Sequence, residues 1–219
     1  LLKSLFLKIM KVSSHPILII TILIVLYMVG LVGILFPQTR GVVLPLSSVN
    51  LFLGFLLLLY SEKKSIKSLL IFMVIAFIIG FCFELIGVQT GILFGNYSYG
   101  TNLGIKFIGV PLIIGLNWAV LTVTSASITE GFSENIVFRM VINSLIMVLF
   151  DFFMEPVAMK FDFWSWHSNE IPVYNYVCWF LISVILQFIY LTYFTIKSNI
   201  VYKTLFIVQF LFFLFLNLF

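Results

Sequence analysis

Three acidic residues lie in stretches of the sequence that are otherwise apolar. Asp151 and Glu155 belong to the segment LFDFFMEP, and Glu84 ends the apolar run that precedes LIGVQTG. Residues four apart share one face of a helix, so Asp151 and Glu155 are expected to point the same way. A buried acid beside another acid favours its neutral form, and a neutral acid can donate a proton. The spacing therefore predicts an acid–base centre.

The simpler interpretation is that these acids only anchor helix ends at the lipid headgroups. An acid at the centre of a membrane costs roughly 2.5–3.5 kcal/mol, and less near the interface, so acids kept there are usually functional. Glu84, Asp151 and Glu155 are the candidate catalytic residues. Their titrations would be coupled, so the sequence does not assign the proton donor.

The segments that follow Glu84 and Glu155 resemble each other. Each contains an aromatic–Ser–aromatic triplet, YSY at 97–99 and WSW at 164–166. Each then has a proline that opens a helix, followed seven residues later by a tryptophan. This repeat predicts two similar helical hairpins, and binding sites of membrane proteins often lie between such repeats.

Aromatic and amide side chains of the repeat are the candidate substrate-binding residues. Aromatic faces can stabilise a cation. Alternatively, the Tyr and Trp residues form an ordinary interfacial belt, and the amide joins helices by hydrogen bonds. The candidates are Tyr97, Tyr99, Asn117, Trp118, Trp164, Trp166 and Trp179.

Composition identifies the kind of element that positions these residues. The chain has 219 residues, of which 63% are hydrophobic and 9% charged, whereas a soluble domain carries roughly 25% charged residues. We therefore predict an all-α integral membrane protein with one transmembrane domain over residues 1–219. The expected apolar segments are 16–36, 42–60, 66–88, 107–128, 135–155, 172–196 and 200–219, with the hairpins formed by the third and fourth and by the fifth and sixth.

The remaining features argue against several functional classes. The net charge of +4 is scattered among loops, so no nucleic-acid partner is expected. The two cysteines lie in separate apolar runs, which predicts neither a disulfide framework nor a metal site. The glycines after residue 86 match no phosphate-binding loop, so no nucleotide cofactor is expected.

Basic residues predict the orientation in a cell membrane. With the N-terminus cytoplasmic and the C-terminus external, nine basic residues face inwards and three, Arg40, Lys106 and Lys160, face outwards. The inner set is Lys3, Lys8, Lys11, Lys63, Lys64, Lys67, Arg139, Lys197 and Lys203.

Within residues 84–180 the sequence resembles a known family, the membrane carotenoid 1′,2′-hydratases of the CruF (bisanhydrobacterioruberin hydratase) type. The resemblance rests on E-x-I-G-V-x-T-G-x-x-F-G-x-Y-x-Y from Glu84, L-G-x-K-x-x-G-V-P-L from Leu103, and the pair Asn117–Trp118. It continues with D-x-x-x-E-P-V-A from Asp151 and the W-x-W that follows.

The resemblance implies an enzyme that adds water to the terminal 1′,2′ double bond of an acyclic carotenoid. Protonation of the alkene would leave a tertiary cation, which water then captures, and this chemistry requires no cofactor. The expected partners are a lipid-soluble carotenoid, water, membrane lipids and other enzymes of carotenoid synthesis.

Two other functions use the same residue types. A carotenoid end-group cyclase would make the same cation and trap it within the substrate. A proton-coupled transporter of lipids or small molecules would also place acids and aromatic residues between repeats, usually with helices broken near the midplane.

Overall fold

The computed structural model describes residues 16–194 and 196–219, which form a bundle of α-helices. Two helices, Pro37–Val43 and Ser47–Ser61, are joined by a 3-10 turn, Leu44–Leu46, so the chain from 37 to 61 acts as one apolar segment. The helices are α1 Pro16–Leu35, α2 Pro37–Val43, α3 Ser47–Ser61, α4 Ile66–Thr90, α5 Leu112–Ile128, α6 Ile136–Lys160, α7 Val173–Tyr193 and α8 Ile200–Leu216.

The described residues confirm the prediction of an all-α membrane protein. Five of the helical segments are long and apolar enough to cross a membrane, and α5 and α8 are shorter apolar helices. These seven segments correspond to the seven expected from the sequence. The chain is therefore a multi-pass membrane protein, whereas its orientation and its single-domain organisation stay predictions. Lys3, Lys8 and Lys11, which contribute to the orientation, lie outside the described residues.

Local sequence signals set several helix ends. Pro111 and Pro172 are the N-cap residues of α5 and α7, as the repeat predicted. Gly91 ends α4 in the left-handed conformation (φ 66°), which a glycine adopts at low cost. The side chain of Asn135 caps α6 by accepting a hydrogen bond from the backbone N–H of Phe138.

Several predicted boundaries were wrong, among them the start of the second segment, which lies at 37 rather than 42. Helix α6, which carries Asp151, does not end at residue 155 but runs through Pro156 to Lys160. Helix α4 ends at Thr90 rather than at residue 88. Helix α5 begins at 112 rather than 107, because residues 106–107 and 110–111 form a short antiparallel hairpin, β2 and β3. Glu84 and Glu155 therefore lie more than one turn inside their helices.

Two helical hairpins, α4 with α5 and α6 with α7, form the part of the bundle that carries the acids. The connection in each hairpin contains a three-residue strand, β1 Tyr97–Tyr99 in the first and β4 Trp164–Trp166 in the second. The two strands pair antiparallel with Ser98 opposite Ser165. We call the end of the bundle that carries this pair the strand end.

Polar side chains join the helices in the interior further from the strand end. Gln187 on α7 donates hydrogen bonds to the carbonyl oxygen of Thr122 and to Oγ of Ser125, both on α5. Asn143 on α6 donates to Oε1 of Gln187. This network turns polar side chains of α6 and α7 into the bundle, where buried polar groups need partners.

Candidate active site

Glu84 is buried on α4 and accepts three hydrogen bonds from aromatic side chains. Its Oε2 accepts from the hydroxyl groups of Tyr97 and Tyr99 at 2.6 and 2.7 Å. Its Oε1 accepts from the indole N–H of Trp118 at 2.9 Å. The side chain is only 4% exposed. Glu84 is thus held inside the protein rather than anchored in the headgroup region.

Glu155 has a matching environment on α6, built from nitrogen donors. Its Oε2 accepts hydrogen bonds from the indole N–H groups of Trp164 and Trp166 at 2.9 and 2.8 Å. Its Oε1 accepts from Nδ2 of Asn175 at 2.9 Å. Both oxygens of this buried carboxyl group therefore face groups that only donate.

The pair of short strands explains why two aromatic residues reach each acid. Alternate residues of a strand point to the same face, so the outer residues of each triplet point inwards together. The register sets Tyr97 opposite Trp166 and Tyr99 opposite Trp164, with ring centroids 5.1 and 5.9 Å apart. We call these four side chains the aromatic quartet. The central serines, Ser98 and Ser165, are exposed.

The two tyrosines of the aromatic quartet stay protonated and can act as hydrogen-bond donors. Burial, and then the nearby charge of Glu84, raise the pKa of Tyr97 and of Tyr99 well above the usual value for tyrosine. Both phenols therefore keep their protons at ordinary pH. They can donate a hydrogen bond to an ionised Glu84, and as hydroxyl groups they can instead accept a hydrogen bond from its protonated form.

Asp151 lies one turn from Glu155 and is completely buried. Its Oδ2 accepts a hydrogen bond from the same Nδ2 of Asn175 that contacts Glu155, at 2.9 Å. This shared partner agrees with the expectation that the two acids lie on one helix face. Oδ1 of Asp151 has no hydrogen-bond partner among the described residues.

The sequence analysis missed Asn175, although a signal for it was present. Asn175 precedes Trp179 by four residues, so the two side chains share one face of α7, and Asn175 lies one turn closer to the strand end. It also lies one turn after Pro172, near the start of the helix and beside the triplet.

The tryptophans of the two hairpins stack on each other in the middle of the site. The rings of Trp118 and Trp179 have centroids 3.9 Å apart and an interplanar angle of 23°. Gly80 lets α4 approach Trp118 closely, because a Cβ added at Gly80 would lie 2.6 Å from Trp118. Trp118 is fully buried as a result.

A cavity of about 260 Å³ brings the predicted residues together. All of the candidate residues line it except Asp151, which lies behind Asn175 and Glu155. The cavity continues from the two glutamates towards α1, α3 and α8. Its wall there includes Val29, Leu46 and Val49, which are 63, 51 and 48% exposed on the apolar outer surface. The cavity therefore reaches exposed apolar side chains of α1 and of the start of α3.

The aromatic candidate residues lie buried or partly buried around the two glutamates rather than along the outer surface of the bundle. Tyr97, Trp164 and Trp166 are at most 8% exposed, and each uses its polar atom to bind a carboxyl group. Asn117 is 7% exposed and lines the cavity as well. The arrangement can hold a proton and a negative charge beside an apolar space with aromatic walls.

Residues 16–194 and 196–219 contain no group of three or more His, Cys, Asp or Glu side chains that could hold a metal ion. The polar atoms that reach the cavity near Glu84 and Glu155 are those of carboxyl, phenol, indole and amide groups. These groups can transfer protons and orient a small polar molecule.

One protein family matches most of the chain. The model of a family described as carotenoid biosynthesis protein matches residues 41–219. The match extends beyond residues 84–180 in both directions, so it also includes α3 and α8. No curated protein and no solved structure matches the chain. Because the family model covers most of the chain, the protein belongs to the carotenoid biosynthesis protein family and has a role in carotenoid biosynthesis.

Proposed function

We propose that the protein is a carotenoid hydratase, which adds water to the terminal 1′,2′ double bond of an acyclic carotenoid. The observation that supports this proposal best is the pair of glutamates on one apolar cavity, each fixed by a different set of donors. Family membership supplies the carotenoid as the class of substrate. The acid–base pair supplies what hydration of an alkene needs, which is a proton donor and a group that receives the proton of water.

The hydrogen-bond partners distinguish the two glutamates. Indole and side-chain amide N–H groups can only donate, so both oxygens of Glu155 are set to accept, as in a carboxylate. Oε2 of Glu84 faces two hydroxyl groups, which can reverse and accept instead. We therefore assign Glu84 as the proton donor and Glu155 as the carboxylate.

The proposed reaction proceeds in two steps. The π electrons of the terminal alkene take the proton of Glu84 and form a C–H bond at C2′, which leaves a tertiary cation at C1′. The charge of Glu155 and the faces of the aromatic quartet stabilise that cation. A water oxygen then forms the C1′–O bond and its proton passes to Glu155. Return of this proton to Glu84 through water in the shared cavity completes the cycle, and the net change is addition of one water.

Asp151 acts indirectly in this proposal. It lies outside the cavity lining and contacts Nδ2 of Asn175, which in turn contacts Glu155. We therefore describe Asp151 as a positioning residue, which holds the amide of Asn175 towards Glu155. The two acids of the i, i+4 pair are thus joined through the amide of Asn175, which contacts both.

The cavity suits one end of a long polyene. Its volume of about 260 Å³ is below the range of roughly 300–1,000 Å³ that is usual for sites of drug-sized ligands. Only an end group of the substrate fits, and the rest of the chain would pass through the opening beside Val29 and Val49 into the lipid. A substrate dissolved in the membrane can enter by this route without crossing water.

Expression in a lycopene-producing bacterium tests the proposal directly. The expected result is a more polar pigment whose mass has increased by one water. A cyclic pigment of unchanged mass would instead identify a cyclase, which also protonates the end group but excludes water from the cation. Unchanged pigment together with substrate flux in reconstituted vesicles would favour the transporter. Conversion in membranes without an ion gradient would exclude the transporter.

A further inference from the structure

A second group of polar side chains lines the same cavity on helices that carry none of the acids. Tyr27 lies on α1, Asn50 on α3 and Gln209 on α8, and all three line the cavity. Nε2 of Gln209 donates a hydrogen bond to Oη of Tyr27 at 2.8 Å. Asn50 lies one helical turn before Gly54 on α3. A Cβ atom added at Gly54 would lie 3.7 Å from Oη of Tyr27, so this part of α3 packs close to Tyr27. We call Tyr27, Asn50 and Gln209 the distal cluster.

The distal cluster contains two buried acceptor oxygens that need a donor. Oδ1 of Asn50 and Oε1 of Gln209 are both buried, and neither has a hydrogen-bond partner among the described residues. Gln209 as a whole is only 2% exposed. Buried amide oxygens are nearly always hydrogen-bonded in native proteins, and each exception calls for an explanation. An O–H or N–H donor that enters the cavity would supply the missing partner.

We propose that the distal cluster binds the water that the reaction consumes. The proposal rests on the proposed function, because only hydration requires water at this cavity. One water donates two hydrogen bonds and accepts at least one, which matches two amide oxygens and the hydroxyl of Tyr27. Buried waters typically make about three such bonds. A hydroxyl group on a substrate has one proton and could satisfy only one of the two oxygens.

The size and continuity of the cavity support the same assignment. A water molecule occupies about 30 Å³ in the liquid, so the cavity of about 260 Å³ holds a water together with an apolar end group. Both glutamates and the distal cluster line this one space, so water need not leave it to reach C1′. In the proposed step the water oxygen forms its bond to C1′, and the released proton goes to Glu155.

Gln209→Met and Asn50→Leu remove the acceptor oxygens and nearly preserve side-chain size. Leu211→Met on α8 and Leu56→Met on α3, at side chains that are 39 and 42% exposed and lie outside the cavity lining, serve as matched controls. Each variant is assayed in membranes with lycopene as substrate and D₂O as solvent. Two quantities are measured per folded protein: the amount of hydrated pigment, and the deuterium in the recovered alkene. Deuterium enters whenever the cation forms and then loses a proton instead of capturing water.

The expected result is a loss of hydration with continued formation of the cation. Hydration should fall about tenfold in Gln209→Met and in Asn50→Leu, the scale of one lost hydrogen bond. Deuterium in the recovered alkene should be maintained or increase, and the two matched controls should hydrate lycopene like the parent protein. If one apolar variant does not fold, the other and Tyr27→Phe provide the same measurement.

Three outcomes would overturn the proposal. Unchanged hydration in both apolar variants would show that the distal cluster does not supply water. An equal fall in hydration and in deuterium would show that the cluster supports the protonation step instead. An increase in KM confined to a hydroxylated substrate, with kcat unchanged, would assign the cluster to a substrate hydroxyl. Failure of the proposed function is distinguishable, because the parent protein itself would then form no hydrated pigment.

Discussion

The half of the site around Glu84 and the half around Glu155 share one plan but differ in their donors. In both halves a glutamate inside a helix binds the outer residues of an aromatic–Ser–aromatic strand. The first half uses tyrosines, whose hydroxyl groups donate and accept. The second half uses tryptophans, whose indole N–H groups only donate. A repeated scaffold thus gives two carboxyl groups with different hydrogen-bond partners, and the proposed mechanism assigns them opposite parts of one proton transfer.

The position one turn before each glutamate shows the second difference between the halves. In the first half it is Gly80, which packs against Trp118 and leaves no room for a side chain. In the second half it is Asp151, which binds Asn175. The first half is therefore fixed by close packing and the second by a polar contact. This comparison predicts that the two halves fail in different ways when they are altered.

The largest effect is expected from the two glutamates that line the cavity. Glu84→Gln and Glu155→Gln keep the size of the side chain but remove proton transfer. Each should lower the rate of hydration by about 10²-fold or more, the usual scale for general acid–base catalysis. Because the two groups act as a unit, the double variant should lose little more than either single variant. Pigment conversion per folded protein in membranes measures these rates.

Glu170→Gln is the matched control for the glutamate variants. Glu170 is exposed in the connection between α6 and α7, close in sequence to Trp166 but outside the cavity lining. It should convert substrate like the parent protein. Normal conversion by both Glu84→Gln and Glu155→Gln would show that these carboxyl groups only anchor their helices.

Gly80→Leu tests the half of the site that depends on close packing. The added side chain would collide with Trp118, whose indole holds Glu84. Overpacking of this kind typically costs about 1–3 kcal/mol, so a reduced yield of folded protein and a lower thermal midpoint in detergent are expected. Gly41, which has open space for a Cβ, provides the control as Gly41→Ala. A normal yield of Gly80→Leu with full activity would mean that Trp118 can move without harm to Glu84.

Asp151→Asn should have a smaller effect on catalysis than either glutamate variant. Asp151 reaches the cavity only through Asn175, so its replacement weakens the orientation of an amide that contacts Glu155. We expect a fall of about tenfold, the scale of one hydrogen bond, in kcat rather than in KM. Asn175→Leu should produce the same change, and the double variant should add little to it. A loss of 10²-fold in Asp151→Asn would restore Asp151 to a direct role in proton transfer.

The sequence predicted the membrane fold and most of the residues that the structure groups around Glu84 and Glu155, for identifiable physical reasons. Apolar segments separated by Pro, Gly and charged residues identify helices that cross a membrane, because such segments must satisfy their own backbone groups. The buried acids Glu84, Asp151 and Glu155 were conspicuous because they are costly in that setting. Repeat spacing then grouped Trp118 with Trp179 before their stacking was known.

The sequence could not predict which residues contact each acid or which of the acids reach the cavity. The antiparallel pairing of residues 97–99 with 164–166 joins segments far apart in the chain, and no local pattern sets its register. The separation of Asp151 from the cavity depends on where Asn175 points, which tertiary packing decides. Tyr27 and Gln209 were overlooked because single polar residues in apolar helices are ordinary helix contacts until a shared cavity is visible.

The smallest expected effect concerns the tyrosines of the first half and pH. Burial raises the pKa of Tyr97 well above that of an unfolded tyrosine, which is about 10. A raised pKa means that this residue's contribution to stability is complete below pH 10 and is lost as pH rises towards the folded value. The parent should therefore lose thermal stability between about pH 10 and 11, and Tyr97→Phe should lose less over that interval. Tyr193→Phe, at a side chain that is 69% exposed, is the control. Trp164→Phe in the second half should leave the alkaline loss as it is, because an indole does not titrate there. Equal alkaline loss in Tyr97→Phe and the parent would show that the phenols of the first half do not differ from exposed tyrosines.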